Sequence, residues 1–424
     1  MTRKLLSAGA IMAAVLFTGV IAAQAAEVTM GGENLTRYEV RHQSDTTGVN
    51  DEVIFMRNRL SASVKVDENV SAFMQLQLNS LFGGNVGTGS FSTTSANDSN
   101  TDVGMHQAYF TLNNLFGAPV AAQIGRQEIV LDGHRLFGNT LWTMGAQSHD
   151  AFRLTHTHDN MTLLYAYSKL VEGAGGNDEL DNDAHIVWAN FKGLVGDNSS
   201  TSAYLVLTDA DSGKVVAGTG GTDMWTIGVR QAGGMGDISY RGEFYYQTGQ
   251  STDVDIAAYM VGARVGYTAS QVAMKPKATL WFDYLSGNDL ADATELTGFN
   301  TLFDTGHKFY GLQDILLTQT GPSNAQTGLI DMAIKLQASP MANTTVQVDL
   351  HSFTSAEDNA AGNDDIGEEI DVTVVHKYSP NVKMLLGFSY FMGDSNFTNG
   401  SNYSNAAGRD DDASWLYAMV HLKF

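Results

Sequence analysis

The feature that most constrains this chain is a strict alternation of apolar and polar residues, repeated from end to end in runs of about ten. "VSAFMQLQLNSLF" (70–82) sets Val70, Ala72, Met74, Leu76 and Leu78 against Ser71, Gln75, Gln77 and Asn79. "GLIDMAIKLQAS" (328–339) sets Ile330, Met332, Ile334 and Leu336 against Asp331, Lys335 and Gln337. "NTTVQVDLHSF" (343–353) opposes Val346, Val348 and Leu350 to Gln347, Asp349 and His351. Successive side chains of a strand point to opposite faces, so each run reads as a strand with one apolar and one polar side. About eighteen such runs can be counted between residues 34 and 424.

The connections alternate as well. Short ones (67–69, 116–119, 158–159, 340–342, 379–380) take turns with long ones rich in Gly, Asn, Asp, Ser and Thr (83–102, 131–148, 171–182, 210–221, 288–327, 355–366, 393–411). An even number of strands, with short turns at one rim and long loops at the other, predicts an all-β fold, a transmembrane antiparallel β-barrel. Hydrocarbon offers backbone groups no partner, so strands can span a bilayer only as a closed cylinder, apolar outside and free to be polar inside. A secreted β-sandwich would leave unexplained the aromatics near run ends, such as Trp225, Tyr246, Tyr267, Tyr284 and Tyr390, where interfacial girdles lie.

The termini place this barrel in the bacterial outer membrane. Arg3 and Lys4, an apolar stretch from Leu5 to Ala22, and Ala23-Gln24-Ala25 have the layout of a signal peptide over residues 1–25, followed by one barrel unit over 26–424. The last run, "DASWLYAMVHLKF", ends on Phe424 and resembles the assembly signal of outer-membrane barrels. Expected partners are therefore the lipid bilayer, lipopolysaccharide and the barrel-assembly machinery. With no cysteine there is neither a disulfide framework nor a zinc–thiolate site. A formal charge of −22 argues against nucleic acid.

Parity assigns the lumen. Arg37, Glu39 and Arg41 fall on the polar face of the first strand, and Arg57, Arg59 and Lys65 on that of the second. The same reading places Arg153, Arg230, Arg241, Glu243, Arg264, Asp283, Asp331, Lys335, Asp349, Glu369, Asp371, Lys377 and Lys383 inside. A lipid-facing Arg or Lys at the bilayer midplane would cost roughly 2–4 kcal/mol. The acidic excess lies instead in loops and turns, as in "NDELDND" (177–183), "AEDNAAGNDDIGEE" (356–369) and "GRDDD" (408–412). Lumenal arginines can pair with acids to stiffen the wall, or stay free to grip carboxylates in transit with their planar forks.

One stretch concentrates charge: "GRQEIVLDGHRLFGN" (125–139), with Arg126, Glu128, Asp132, His134 and Arg135. In a soluble enzyme it would invite a search for acid–base chemistry. The chain has no G-x-S-x-G, its eleven histidines are scattered, and His156 and His158 sit at a short turn. An outer-membrane hydrolase would have to recruit His134 with a distant serine.

"GRQEIVLDGHRLFGNTLW" with "SHDAFRL" (148–154), "FNTLFDTGHKFYGLQD" (299–314) and "EEIDVTVVHKYSPNVKMLLGFSYFMGD" (368–394) resembles the alginate-export family of outer-membrane barrels. The resemblance implies a monomeric barrel with a constriction of arginines that guides an anionic polysaccharide, working with periplasmic export partners. Carried over by position, Arg126, Glu128, Arg135 and Arg153 belong to that lining. Where the family pattern has an arginine before the Asp, this chain has Gln147. A bulge at Gly125 is expected to turn Arg126 into the pore. The segment 288–327, carrying His307, Lys308 and Asp314, is long enough to fold inward and narrow it. The expected function is passive passage of anionic polysaccharide, oligosaccharide or small anions, without cofactor or energy coupling. The competing expectation is a general porin that weakly favours cations.

Overall fold

In a computed structural model the chain forms a closed, antiparallel β-barrel of 18 strands. The structure describes residues 26–43, 51–82, 103–172, 181–210, 221–252, 254–289, 294–316, 327–358, 362–394 and 412–424. Residues 1–25, expected to be a signal peptide, and much of the acidic sequence of the long loops lie outside the described residues.

The first half of the wall is β1 (Glu27–Gln43), β2 (Asp51–Lys65), β3 (Val70–Leu81), β4 (Gly104–Leu112), β5 (Val120–Gln127), β6 (His149–His158), β7 (Met161–Val171), β8 (Asn182–Lys192) and β9 (Ser199–Ala210). The second half is β10 (Thr222–Met235), β11 (Ile238–Ser251), β12 (Val254–Thr268), β13 (Lys277–Leu285), β14 (Leu329–Met341), β15 (Thr344–Thr354), β16 (Asp365–Lys377), β17 (Val382–Gly393) and β18 (Ala413–Lys423). Each strand pairs with its sequence neighbours, and β1 closes the cylinder on β18 in a register running from Glu33↔Lys423 to Gln43↔Ala413. The seam is finished by two backbone hydrogen bonds between Gly32 and Phe424. A Cβ at Gly32 would stand 2.6 Å from the Phe424 ring, so glycine is what lets the terminal aromatic lie flat there.

Alternation sorts the two faces as the physics of the bilayer requires. Ile227, Phe244, Leu280, Ile334, Leu386 and Val420 are exposed on the outside, while inward neighbours such as Tyr245, Asp283 and Asp331 are buried. Trp225, Tyr246, Tyr259 and Tyr267 stand exposed on that same outer surface, where aromatic rings favour the membrane–water interface. β1 begins seven residues before the run that alternation marks, because Glu27–Glu33 pairs with Arg59–Lys65 of β2. β5 is shorter than its apolar pattern, since Ile129 and Leu131 leave the wall to be buried within the barrel.

The interior is a folded core. The segment 128–148 after β5 and the described parts of 286–328 after β13 turn inward, together with the buried inner wall. Ile129, Leu131, Leu136, Phe137, Phe299, Phe309, Tyr310 and Ile315 form one apolar cluster with Tyr204, Tyr245 and Phe353 of the wall. A second, smaller cluster joins Met144 to Leu35, Trp415, Tyr417 and Met419. The expectation that 288–327 folds inward therefore holds for its described residues, and 128–148 does the same.

Candidate pore constriction

The two inward segments are joined to each other first. Phe137 and Phe303 form a parallel bridge, with Gly138 N–H donating to Phe303 O at 2.8 Å and Phe303 N–H to Leu136 O at 2.9 Å. Thr305 N–H donates to His134 O at 3.1 Å. The Gln147 amide donates to both Gly138 O and Phe303 O, at 3.0 and 3.1 Å. A neutral amide in that place bridges two carbonyls. Close approach here depends on Gly138, where a Cβ would fall 2.1 Å from Thr305 Oγ1.

Arginines of the wall then hold the pair in place. Arg57 is ion-paired to Glu33 at 2.8 Å and donates to Leu141 O and Thr143 O at 2.9 and 3.0 Å. Arg37 pairs with Glu39 at 2.6 Å, donates to Trp142 O at 2.8 Å and lies 3.9 Å over the Trp142 ring. On its other side Trp142 stacks on His307 with centroids 4.0 Å apart. His307 Nδ1 is 2.9 Å from Asp314. Arg41 reaches Gln313 O at 3.3 Å, and Arg59 bonds Gln77 at 2.7 Å while Gln77 holds Gly145 O at 2.8 Å.

Across the lumen the roles are exchanged, and a loop arginine is held by wall acids. Arg135 ion-pairs with Asp283 and Glu243, donates to the Tyr310 hydroxyl at 3.1 Å and stacks on Phe309 at 3.7 Å. Arg264 shares the same two acids and lies 3.2 Å over the Trp281 ring. Asp132 accepts from Trp188 Nε1 at 2.9 Å and from the Tyr204 hydroxyl, with Arg230 at 3.5 Å. Glu128, at the root of the first segment, is 2.9 Å from His106 and accepts from Asn139 at 2.8 Å. Burial alone would raise its carboxyl, but His106, Asn139 and Arg59 hold it below the usual range.

The inward-facing arginines are thus structural ties as much as lining. Arg37, Arg57, Arg59, Arg135 and Arg264 are all buried. Burying a guanidinium is tolerable only with charge and hydrogen-bond partners, and the loop carbonyls supply what the acids do not. Arg153 is bonded to Gln123 and to no carboxylate among the described residues.

Arg126 is a correction. The register runs unbroken through Gly125 to both neighbours, Ala108↔Arg126 on β4 and Arg126↔Asp150 on β6. Arg126 therefore shares the outer face with Ile124 and Phe110 and pairs with the exposed Asp150 at 3.0 Å. Gly125 has φ +124°, yet no residue is inserted there, so no bulge turns Arg126 inward.

Below the joined segments, toward the short-turn rim, lie two basic cavities. One of about 750 Å³ is lined by Arg57, His134, Trp142, His307, Lys308, Lys377, Lys383, His421 and Lys423, and by no carboxylate. The other, about 400 Å³, is lined by Arg230, Arg241, Arg264, Lys277, Lys335 and Trp281, again without a carboxylate. A third, of about 900 Å³, mixes Arg230, Lys192 and Lys277 with Asp132, Asp197 and Asp237. Lys308 is exposed to the lumen and makes no ion pair with any described residue, and partial desolvation lowers its ammonium from the ordinary value. Sequence reasoning placed Lys377 and Lys383 inside but passed over them as site residues, along with Lys423, His421 and Trp142. The available signal was inward parity combined with nearness to a short turn.

The family model described as alginate export matches residues 26–415, nearly the full chain. The protein belongs to the alginate export family. Comparison with curated proteins returned no match. Among solved structures, this alginate-export barrel is similar to OpdO of Pseudomonas aeruginosa, with TM-score 0.61 and 10% identity over 94% of this chain and 97% of that one. It is also similar to OccAB1 of Acinetobacter baumannii (TM-score 0.60, 13% identity, 93% and 96% covered). The outer membrane protein OprD of Pseudomonas aeruginosa gives 0.58 and 11%, with 94% of each chain covered. At such identities the likeness is one of fold. Family and fold together make the alginate-export barrel an outer-membrane channel, set among lipid and lipopolysaccharide.

Proposed function

We propose that the channel passes anionic solutes passively, with carboxylate-bearing oligosaccharide or polysaccharide as the substrate class, and that its selectivity resides on the periplasmic side of the constriction. The carrying observation is the pair of cavities lined by cations and by no carboxylate. Cations gathered in a confined, poorly solvated cleft concentrate anions and repel cations. His307 and Lys308 at the larger cavity, and Arg230, Arg241 and Arg264 at the smaller, are the proposed contacts. Arg37, Arg41, Arg57, Arg59, Arg135 and Glu128 hold the constriction in shape, and Arg153, bonded to Gln123 of the wall, is a further proposed contact. No catalytic role is proposed for His134, whose backbone carbonyl accepts from Thr305 N–H in the loop pairing.

The competing reading, a weakly cation-selective porin, draws on the net charge of −22. The two give opposite signs of reversal potential for the purified barrel in a planar bilayer under a KCl gradient. We expect anion selectivity, reduced at least severalfold by Lys308→Ala combined with Lys383→Ala. Cation selectivity unchanged in that double variant would favour the porin reading.

A further inference from the structure

A second group of inward side chains lies on the wall beside the smaller basic cavity. Asp349 of β15 and Asp371 of β16 are directly opposite in the register, and His351 is two residues along on the same face. Each of the three offers a ligand atom within 4.8 Å of the others, and all three are buried. Like charges directly across a strand pair repel, so two buried carboxylates in this relation need a cation or a proton between them. Lys335 of β14 supplies one in part, with Nζ 2.9 Å from Asp349 and 3.1 Å from His351 Nε2. It does not satisfy Asp371, which is only 2% exposed: its Oδ1 meets no N–H or hydroxyl donor, and the residue lies within hydrogen-bonding reach of the equally buried Glu369 carboxyl.

The histidine is already oriented as a ligand. Its Nδ1 is 2.8 Å from Asp331, a carboxylate that can only accept, so the proton belongs on Nδ1 and the Nε2 lone pair points at the cluster. Carboxylate–histidine pairs of this kind fix the tautomer and raise the basicity of metal-binding imidazoles. We propose that Asp349, His351 and Asp371 form a site for a divalent transition metal, fitted by zinc, and that the Lys335 ammonium stands in the ion's place when none is bound. One imidazole and two carboxylates suit zinc, whereas calcium and magnesium take oxygen ligands. Lys335 also lines the smaller cavity, which provides the way in and the space into which its side chain withdraws. Asp371 Oδ2 accepts from Leu312 N–H at 3.3 Å, so an ion on Oδ1 leaves this tie to the inward segment intact.

The test uses the full-length barrel in detergent, stripped with chelator and titrated with Co²⁺ by visible absorption, followed by displacement with Zn²⁺. One Co²⁺ per chain is expected, displaced by an equivalent of Zn²⁺. Asp371→Asn and His351→Gln should each weaken binding at least tenfold, and Lys335→Gln should tighten it at least tenfold by removing the resident cation. All variants are first checked for the heat-modifiable migration of a folded barrel. Absence of saturable binding in both the parent and Lys335→Gln overturns the proposal, as does parent-level affinity in folded Asp371→Asn and His351→Gln.

Discussion

Two arginines expected to line the lumen have opposite fates, and the difference is measurable. Arg57, with 1% of its side chain exposed, holds Glu33 and two loop carbonyls. Its removal takes from Glu33 its nearest guanidinium, leaving Arg59 at 3.5 Å and His421 at 3.0 Å, and frees two loop carbonyls. Losing a charged hydrogen-bond partner costs about 1–3 kcal/mol. Arg57→Ala should lower the unfolding free energy of the reconstituted barrel by that order and raise its single-channel conductance as residues 141–143 come loose. Arg126 pairs with Asp150, whose side chain is 60% exposed. Exposed pairs contribute on the order of 0–1 kcal/mol, so Arg126→Ala should leave stability and ion selectivity close to the parent's. A third residue couples the constriction to pH. Burial raises the Asp304 carboxyl from 3.8 to about 7, against the opposing influence of Arg135 and the Tyr310 hydroxyl. Between those values the docked segment holds a proton that the undocked one has lost. Docking is therefore tightest below pH 3.8 and weakens as pH rises through about 7. Hydrogen exchange of the amides around Asp304, corrected for intrinsic rate, should show less protection at pH 8 than at pH 6. Asp304→Asn should flatten that dependence.

At the scale of elements, the constriction is a joint between two segments rather than a ring of wall residues. Gly138→Ala places a methyl group 2.1 Å from Thr305 Oγ1, so the segments must separate. Conductance should rise and become noisier, and adding Thr305→Ala, which removes the obstructing hydroxyl, should restore much of the parental behaviour. This joint was scarcely legible in the sequence. The strands were, because a bilayer outside and water inside impose period 2 on every one of them, and Met74 or Leu336 can face only one way. Nothing periodic marks 128–148 or 299–316, and the pairing of Phe137 with Phe303 spans a separation that no local pattern encodes. The carry-over from the family resemblance misled at Arg126, as did the bulge at Gly125 expected to support it. Plain alternation from the inward Gln123 gives the outer face observed. The rule that charge points inward holds for mid-membrane positions, whereas this residue stands one position from the end of β5 beside an acidic partner. The ties of the buried arginines were hidden for a related reason, since their acceptors are backbone carbonyls, which every residue type carries.

Considered whole, the molecule sorts its charge along the axis of the barrel. Acidic sequence collects in the long connections, while Lys377, Lys383, Lys423 and Lys308 gather around the cavity by the short turns. The membrane sets the outer face, and the interior is set by contacts among residues far apart in the chain. The ties of the joined segments come from β1 and β2 at one end of the chain (Arg37, Arg57) and from β13 and β18 further on (Asp283, Trp415). Contacts between such remote positions form slowly, because a long loop must be closed before any of them rewards the chain. The cylinder's own pairings are between neighbours in sequence, save the last one. Assembly in this protein thus has an order written into it. The wall can be laid down strand by strand, but its stopper is not enclosed until the seam between Gly32 and Phe424 has shut. A barrel caught before that moment is an open hole, and the closing of the seam is what turns it into a valve.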